Sequence, residues 1–450
     1  MISADASFSH FSGGFDVGGT GDAFVIWRPI SEWTSDHGYK VSSKILASHF
    51  KHSTGWSDPE QISDGYARRD MDVAADDYGN AIAIWVEDVS QGAMRIYANR
   101  FVNGTGWSGQ TPICEPFSYL IDPNIEMDDN GNAWVVWESG ANGYWMWHAC
   151  YFASPIENEA AWGWGSPMDI SSEIVTSNNG FEFEVSGDGN AIVGRIVLEN
   201  RSVAIVNRYV PGIGWLGEER ISDDQDNASW GKIAIRDGGG AICVWQEYDE
   251  AHNSILMSIL KETGWGSPIE LMSYSTSAKE FGNVRAIGFM PNEEAMLLVS
   301  GTYNYTRDDL TDFRIDLASG QLIDQEVVWN NYTRAEIIES ERAMIIGIVN
   351  ENQLSSREFV PGYGWDQPVT CIREDPATVL DLRLGFDSSG NALLVYTIIG
   401  PQVFDLMGCR YSNGIESPSA NFPIEAIVGL SAVIVVVGIG AVIWYHRKSR

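Results

Sequence analysis

Basic residues are scarce in this chain: 28 Lys and Arg stand against 61 Asp and Glu, a formal charge of -33 over 450 residues. A phosphate backbone is held by clustered Lys and Arg, so the imbalance excludes a nucleic-acid binder. Histidine (7) and cysteine (5) are few, and the histidines do not recur in step with any pattern in the chain. No GxSxG, P-loop, HExxH or paired CxxC motif occurs, which removes the commonest signatures of hydrolases, nucleotide binders and zinc sites. Long apolar runs are also missing, with one exception near the carboxyl end. The amino end, MISADASFSHFSGGF, has neither the basic start nor the apolar stretch of about 7–15 residues that an export signal carries.

What remains is the composition of a folded protein, 44% hydrophobic with 18 Trp, and rich in turn formers with 46 Gly and 16 Pro. That combination points to many short strands joined by tight turns. The exceptional apolar run, Ala426 to Tyr445, holds twenty uncharged residues, and His446, Arg447, Lys448 and Arg450 follow it. Its length matches a hydrocarbon core of roughly 30 Å, and the basic flank predicts an inward-facing tail. The expected layout is a domain over 1–411, a linker over 412–423, a transmembrane helix over 424–446 and a cytoplasmic basic tail over 447–450. The domain would face outward, in a single-pass membrane protein.

Internal repetition organises the domain. Asp-x-x-Gly-Asn-Ala followed by an apolar strand ending in Trp reads DDYGNAIAIW at Asp76–Trp85 and DDNGNAWVVW at Asp128–Trp137. Looser copies align on Ala23, Ala191, Ala241, Ala295, Ala343 and Ala392, which with Ala81 and Ala133 makes eight units spaced 48 to 58 residues apart. A second pattern, Gly-Trp followed by Pro and Ile-Ser, alternates with the first at Trp56, Trp107, Trp164, Trp215, Trp265 and Trp365. Between them lie strands such as IYANRF (Ile96–Phe101) and AIVNRY (Ala204–Tyr209). Each unit thus supplies four strands, called A, B, C and D here, with A before the Asp-x-x-Gly-Asn turn and D after Gly-Trp. In that turn Asp bonds the backbone two residues on and Gly takes the positive φ of a tight hairpin.

Four-stranded units at a period near 50 predict an all-β, eight-bladed propeller of antiparallel blades, with seven blades as the alternative. The eighth unit lacks a D strand before the linker SNGIESPSANFP, while Ile2-Ser3-Ala4-Asp5 aligns with the Ile-Ser-Asp that ends D at Ile62–Asp64. The amino end is therefore expected to complete blade eight, preceded by a missing part of the strand and a signal peptide.

The alternation of GNAxxVW, YANRF and GTGW resembles repeat arrays of prokaryotic, archaeal-type cell-surface β-propellers of the broad sialidase-like or kelch-like kind. The tail FPIEAIVGL resembles their carboxyl-terminal anchors. The resemblance implies a scaffold and an address; no Asp-box of the form Ser-x-Asp-x-Gly-x-x-Trp is present, and SGDGN at Ser186 comes nearest.

Candidate sites follow from departures from the pattern. Asp128, Asp129 and Asn130 in DDNGN read either as a hairpin turn or as calcium ligands, though the Glu-terminated span of an EF-hand is absent. Tyr144, Trp145 and Trp162 crowd unit three and are candidate binding residues, since exposed aromatic groups mark interaction surfaces. BC and DA loops carry Glu87, Glu138 and Glu247 among other acids, predicting an acidic face. Glycosylation sequons lie at Asn103, Asn200, Asn227, Asn304 and Asn331. Cys114 with Cys150, and Cys371 with Cys409, occupy matching places where disulfides are permitted outside the cell. The function expected is non-enzymatic binding or adhesion to a glycan, a protein or a surface-layer partner, with a carbohydrate-active enzyme (sialidase-like glycosidase or lyase) on the same scaffold as the alternative.

Overall fold

The computed structural model describes residues 13–411, apart from 34–38, 142–143, 156–162, 172–180, 199–200, 223–225, 250, 276–280, 304–306, 331–342, 350–352, 361, 374–377 and 401–402, together with 3–4, 424–426, 435–438 and 441–444. Within them the chain forms eight antiparallel sheets of four or more strands in sequence, the blades of a propeller, and a two-stranded sheet, Ile30–Trp33 with Tyr39–Val41, within the first. The blades span residues 15–61, 67–112, 120–169, 181–220, 227–275, 281–330, 343–373 and 378–411. Apart from two one-turn 3₁₀ segments, Ser90–Gly92 and Asp237–Gly239, no helix occurs among the described residues.

Blade two shows the rule. Strand A (Ala67–Ala75) pairs with B (Ala81–Asp88), B with C (Met94–Val102), and C with a D strand broken into Gly106–Trp107 and Thr111–Pro112. The break falls at residues 108–110, and Pro112, which has no backbone donor, is tolerated in the second segment because D is the outermost edge. In blade three the strands are Leu120–Met127, Ala133–Ala141, Tyr144–Ala153, and Gly163–Trp164 with Met168–Asp169.

Why the blades stand together is visible in the B strands, which are apolar on both faces because each blade is covered by two neighbours. Trp27, Trp85, Trp137 and Trp245 at their ends are at most 1% exposed. Buried clusters join consecutive blades: Phe24 and Ile26 of blade one meet Val73 and Trp85 of blade two, and Ile84 and Ile96 of blade two meet Val135 and Trp137 of blade three. Trp27 packs with Val395 and Leu406 of blade eight, closing the ring. The Gly-Trp residues serve the same packing. Trp56, Trp107, Trp164, Trp215 and Trp365 each lie cross-strand from the last aromatic residue of C, with ring centroids 5.2–5.8 Å apart, which adds about 0.5–1.5 kcal/mol beyond area burial per pair.

Polar repeats do equally defined work. Asp76 Oδ1 accepts the N–H groups of Tyr78 and Asn80 at 2.9 and 2.8 Å, and Oδ2 accepts Asn80 Nδ2 at 2.7 Å. Asp128 and Asp387 repeat the arrangement with Asn132 and Asn391. Gly79 and Gly131, at φ 73° and 78°, hold the position that a side chain would strain. The Asn of the C strand is a clamp: Asn99 Nδ2 donates to Ile62 O of blade one at 3.0 Å, and Asn207 Nδ2 donates to Ile170 O of blade three at 2.7 Å. In blade seven Arg357 donates to Val328 O of blade six from the same register.

Ser3–Ala4 pair with strand C of blade eight (Val403–Tyr411) at Leu406 and Asp405, in the place the second half of D takes elsewhere. The amino end thus completes blade eight. The carboxyl end departs from expectation. Instead of a helix over 424–446, its described residues are strands: Ile424–Ala426 pairs with the end of strand C of blade eight, and Val435–Gly438 with Ala441–Trp444 forms a hairpin beyond it. No helix among the described residues is long and apolar enough to cross a membrane. Val and Ile dominate this run, and their branched side chains suit an extended backbone as well as a helix.

Candidate functional site

Two ends of the ring differ in chemistry. At the end formed by the A–B turns, consecutive blades interlock: Asp77 Oδ1 accepts Gly19 N of blade one at 2.7 Å, and Asp188 Oδ2 accepts Gly238 N of blade five at 2.8 Å. Asp129 lies beside Gly187 of blade four, where a Cβ would meet its carboxylate at 2.5 Å. Its carboxyl is raised above the usual range by burial and by the charges of Asp77, Asp237 and Asp188. This collar is where the structure places Asp128, Asp129 and Asn130. Asp128 is committed to the turn, and Asn130 contributes its backbone N–H to it. Among the described residues no group of three or more His, Cys, Asp or Glu could hold a metal ion.

At the opposite end the acidic face is thinner than the sequence suggests, because Glu87, Glu138 and Glu247 are buried, at 3%, 2% and 8% exposure. Each accepts an indole N–H: Glu87 from Trp85 at 2.8 Å, Glu247 from Trp245 at 2.8 Å, and Glu138 from Trp147 at 2.9 Å. Burying a carboxylate is tolerable only with such donors. Nothing in the sequence pattern separates these glutamates from the exposed acids beside them, except their position just after the Trp of strand B.

Blade three and its contact with blade four concentrate the remaining chemistry. Trp145, half-buried, meets Tyr119 of the preceding D–A loop edge-on, with ring centroids 5.2 Å apart, and Tyr119 is exposed. Gly140 makes room for Trp145, since a Cβ there would stand 3.0 Å from its ring. Asp122, in the same edge of the blade, is exposed at φ 47°. Deeper, the Arg195 guanidinium lies 4.1 Å over the Trp147 ring and pairs with Glu218 at 2.9 Å, both side chains at most 10% exposed. Burial pushes the Glu138 carboxyl up, Trp147 and Arg195 draw it down, and Asp122 pushes it up again.

Of the expected binding residues, Trp145 is therefore at a surface corner. Tyr144 opens strand C, pairing with Ala141, and Trp162 lies outside the described residues. Tyr119, which meets Trp145, was not singled out in the sequence; its counterpart in blade two is Tyr66, also exposed, and both carbonyls accept the N–H three residues after the strand-B Trp. Among the sequons, Asn103 is exposed, with its amide donating to Tyr78 O at 2.9 Å. Asn227 is half-buried and accepts Ser202 N at 3.3 Å. Asn200, Asn304 and Asn331 lie outside the described residues. Cys114, Cys150 and Cys243 are buried free thiols, so the pairing of Cys114 with Cys150 is not made. Burial pushes the first two up to about 11 and about 12.

No protein-family model and no curated protein sequence matches the chain. Among solved structures, an ulvan lyase bound to its oligosaccharide is similar at 10% identity and TM-score 0.48, over 83% of this chain and 95% of that one. The polysaccharide lyase Uly1 is similar at 9% identity and TM-score 0.49, over 73% and 87%. The propeller domain of the Trilobed protease from Pyrococcus furiosus is similar at 8% identity and TM-score 0.44, over 89% and 94%.

Proposed function

We propose that the chain is an outward-facing, membrane-attached propeller that binds glycan through the Tyr119–Trp145 corner of blade three. The observation that carries this reading is the edge-to-face aromatic pair at 5.2 Å, with Tyr119 exposed. Two rings near right angles offer a face for the C–H groups of a sugar, and the exposed Asp122, three residues on from Tyr119, offers an acceptor for its hydroxyls. The overall charge of -33 favours neutral or cationic partners over polyanions. Attachment rests on the uncharged run Ala426–Tyr445 and the basic residues that follow. In a bilayer every backbone group must be satisfied within the segment, which would convert the run to a helix.

The test is a glycan array with the purified chain and a Trp145→Ala/Tyr119→Ala variant, alongside product analysis on any bound glycan. Binding by the parent that falls at least about tenfold in the variant, with no bond cleaved, supports the reading. Retained binding in the variant sinks the corner, and cleavage of the bound glycan replaces the binder with the carbohydrate-active enzyme.

A further inference from the structure

Strand B of blades two and five carries a device that blade three lacks. In blades two and five the residue two after the buried Trp is Glu, and its carboxylate accepts the indole N–H at 2.8 Å. In blade three that residue is Ser139. Its hydroxyl lies 2.6 Å from His148 Nε2 instead, and His148 Nδ1 lies 2.8 Å from Asp169 Oδ1. Trp137 Nε1 is left buried without a hydrogen-bond partner. The three residues run across one face of the sheet: Asp169 is directly cross-strand from His148, and Ser139 is diagonal to it, two residues from its partner Trp137.

We propose that Ser139, His148 and Asp169 form a nucleophilic acyl-transfer site on blade three that takes carboxylic esters. A carboxylate can only accept, so the proton sits on Nδ1 facing Asp169, and the lone pair of Nε2 faces the serine hydroxyl. That is the arrangement of nucleophile, base and orienting acid. Phe117 and Trp137 pack on the imidazole with centroids at 5.0 and 5.4 Å. The burial they impose lowers its pKa against the upward pull of Asp169, which favours the neutral base. Ser139 is half-buried and Asp169 exposed, so the line reaches solvent at the outermost strand of the blade, on the sheet face opposite Trp145.

The step balances with water as the sole co-reactant. Ser139 Oγ attacks the ester carbonyl carbon while its proton passes to His148 Nε2. The tetrahedral oxyanion requires a donor, and the unpartnered indole N–H of Trp137, on the residue whose counterparts in blades two and five reach this same position, is the donor offered. Collapse breaks the bond to the alcohol oxygen, which leaves with the proton from Nε2. Water then attacks the acyl-serine, gives its proton to Nε2, and the acid departs as Ser139 regains its hydroxyl. The proposal goes beyond glycan binding and does not depend on it.

The full chain is treated with a fluorophosphonate probe and the adduct located by peptide mass, with p-nitrophenyl acetate hydrolysis followed from pH 5 to 8. An adduct on Ser139, absent in Ser139→Ala, is expected, with a hydrolysis rate that falls as His148 is protonated towards pH 5. His148→Gln should slow labelling by about a hundredfold or more, and the exposed Asp169→Asn, which leaves the core untouched, by at least about tenfold. No adduct on Ser139 in the folded parent overturns the proposal. So does labelling at the parental rate in Asp169→Asn, whatever the fate of the His148 variant.

Discussion

Blades two and three begin from the same sequence and use it differently. In blade two each recurrent polar residue has a structural partner: Asp76 holds the A–B turn, Asn99 ties strand C to blade one, and Glu87 receives Trp85 and the N–H of Gly65. Blade three keeps the turn through Asp128 but has Cys150 where Asn99 would stand, and its thiol bonds Gly165 O in its own blade. Ser139 takes the place of Glu87. The turn is thus common to both blades, whereas the clamp and the indole acceptor have been given up in one, and that blade gathers the exposed aromatic pair and the Ser–His–Asp line. A repeat frees positions for chemistry where its neighbours can supply the lost packing.

The largest break in this comparison comes from the feature the blades share. Removing the turn carboxylate by Asp76→Ala or Asp128→Ala strands buried donors that now make three charge-assisted bonds, a loss of about 3 kcal/mol in either blade. The shift of the urea midpoint measures it. Nearly equal losses are expected, and a loss confined to blade two would show that Asp128 serves something other than the turn.

A smaller effect separates the blades. Asn99→Cys makes blade two resemble blade three, leaving Ile62 O and Gly109 N without their side-chain partner, for about 1–2 kcal/mol. The reciprocal Cys150→Asn should change the midpoint little, since blade three already packs without the clamp. Equal effects of the two swaps would mean that the clamp carries no weight where it occurs.

How much of this could be read in advance divides by period. The eight units, the A–B turn chemistry and the completion of blade eight by Ser3–Ala4 all follow from residues that recur at fixed spacing, because a recurring residue reports a recurring backbone. Gly-Trp was legible as packing for the same reason. Ser139 and His148 were not, because each occurs once and its partner comes from a different strand, and Tyr119 was not, because it differs from its counterpart Tyr66 only in the Trp145 brought to it by another strand. Glu87 and Glu247 were misplaced on a charged surface, since a sequence records a charge and not the indole that buries it. In the carboxyl-terminal run the described residues are strands where a helix was expected, Val and Ile being compatible with both.

The finest distinction lies at the inner edge of the ring. Asp72 of blade two stands where blade three has Asn124, nine residues before the aligned alanine in each. Asp72 Oδ2 accepts Ile125 N of blade three at 3.1 Å, and Asp16 of blade one accepts Ala75 N of blade two at 2.8 Å, so carboxyls cover the unpaired edge of the innermost strands. Burial pushes Asp72 up to about 7, opposed by the N–H groups of Ile125 and Val73, with Asp16 pushing further up and Arg383 drawing it down. Asp16 is pushed up to about 6 by the same burial, against bonds from Ala75 and Val17. A carboxyl raised in the folded state holds its proton better than the unfolded chain does, so its contribution to stability is full below about pH 4, declines above that, and is gone above about pH 7. Asp72→Asn keeps the acceptor for Ile125 and removes the charge. The variant should therefore match the parent near pH 4 and exceed it at pH 8, by about 1 kcal/mol once solvent screening of a half-buried group facing the channel is allowed for. Urea midpoints of both proteins at the two pH values decide it. A gain that is the same at both would show that Asp72 is ionised throughout and that the two blades meet the channel alike.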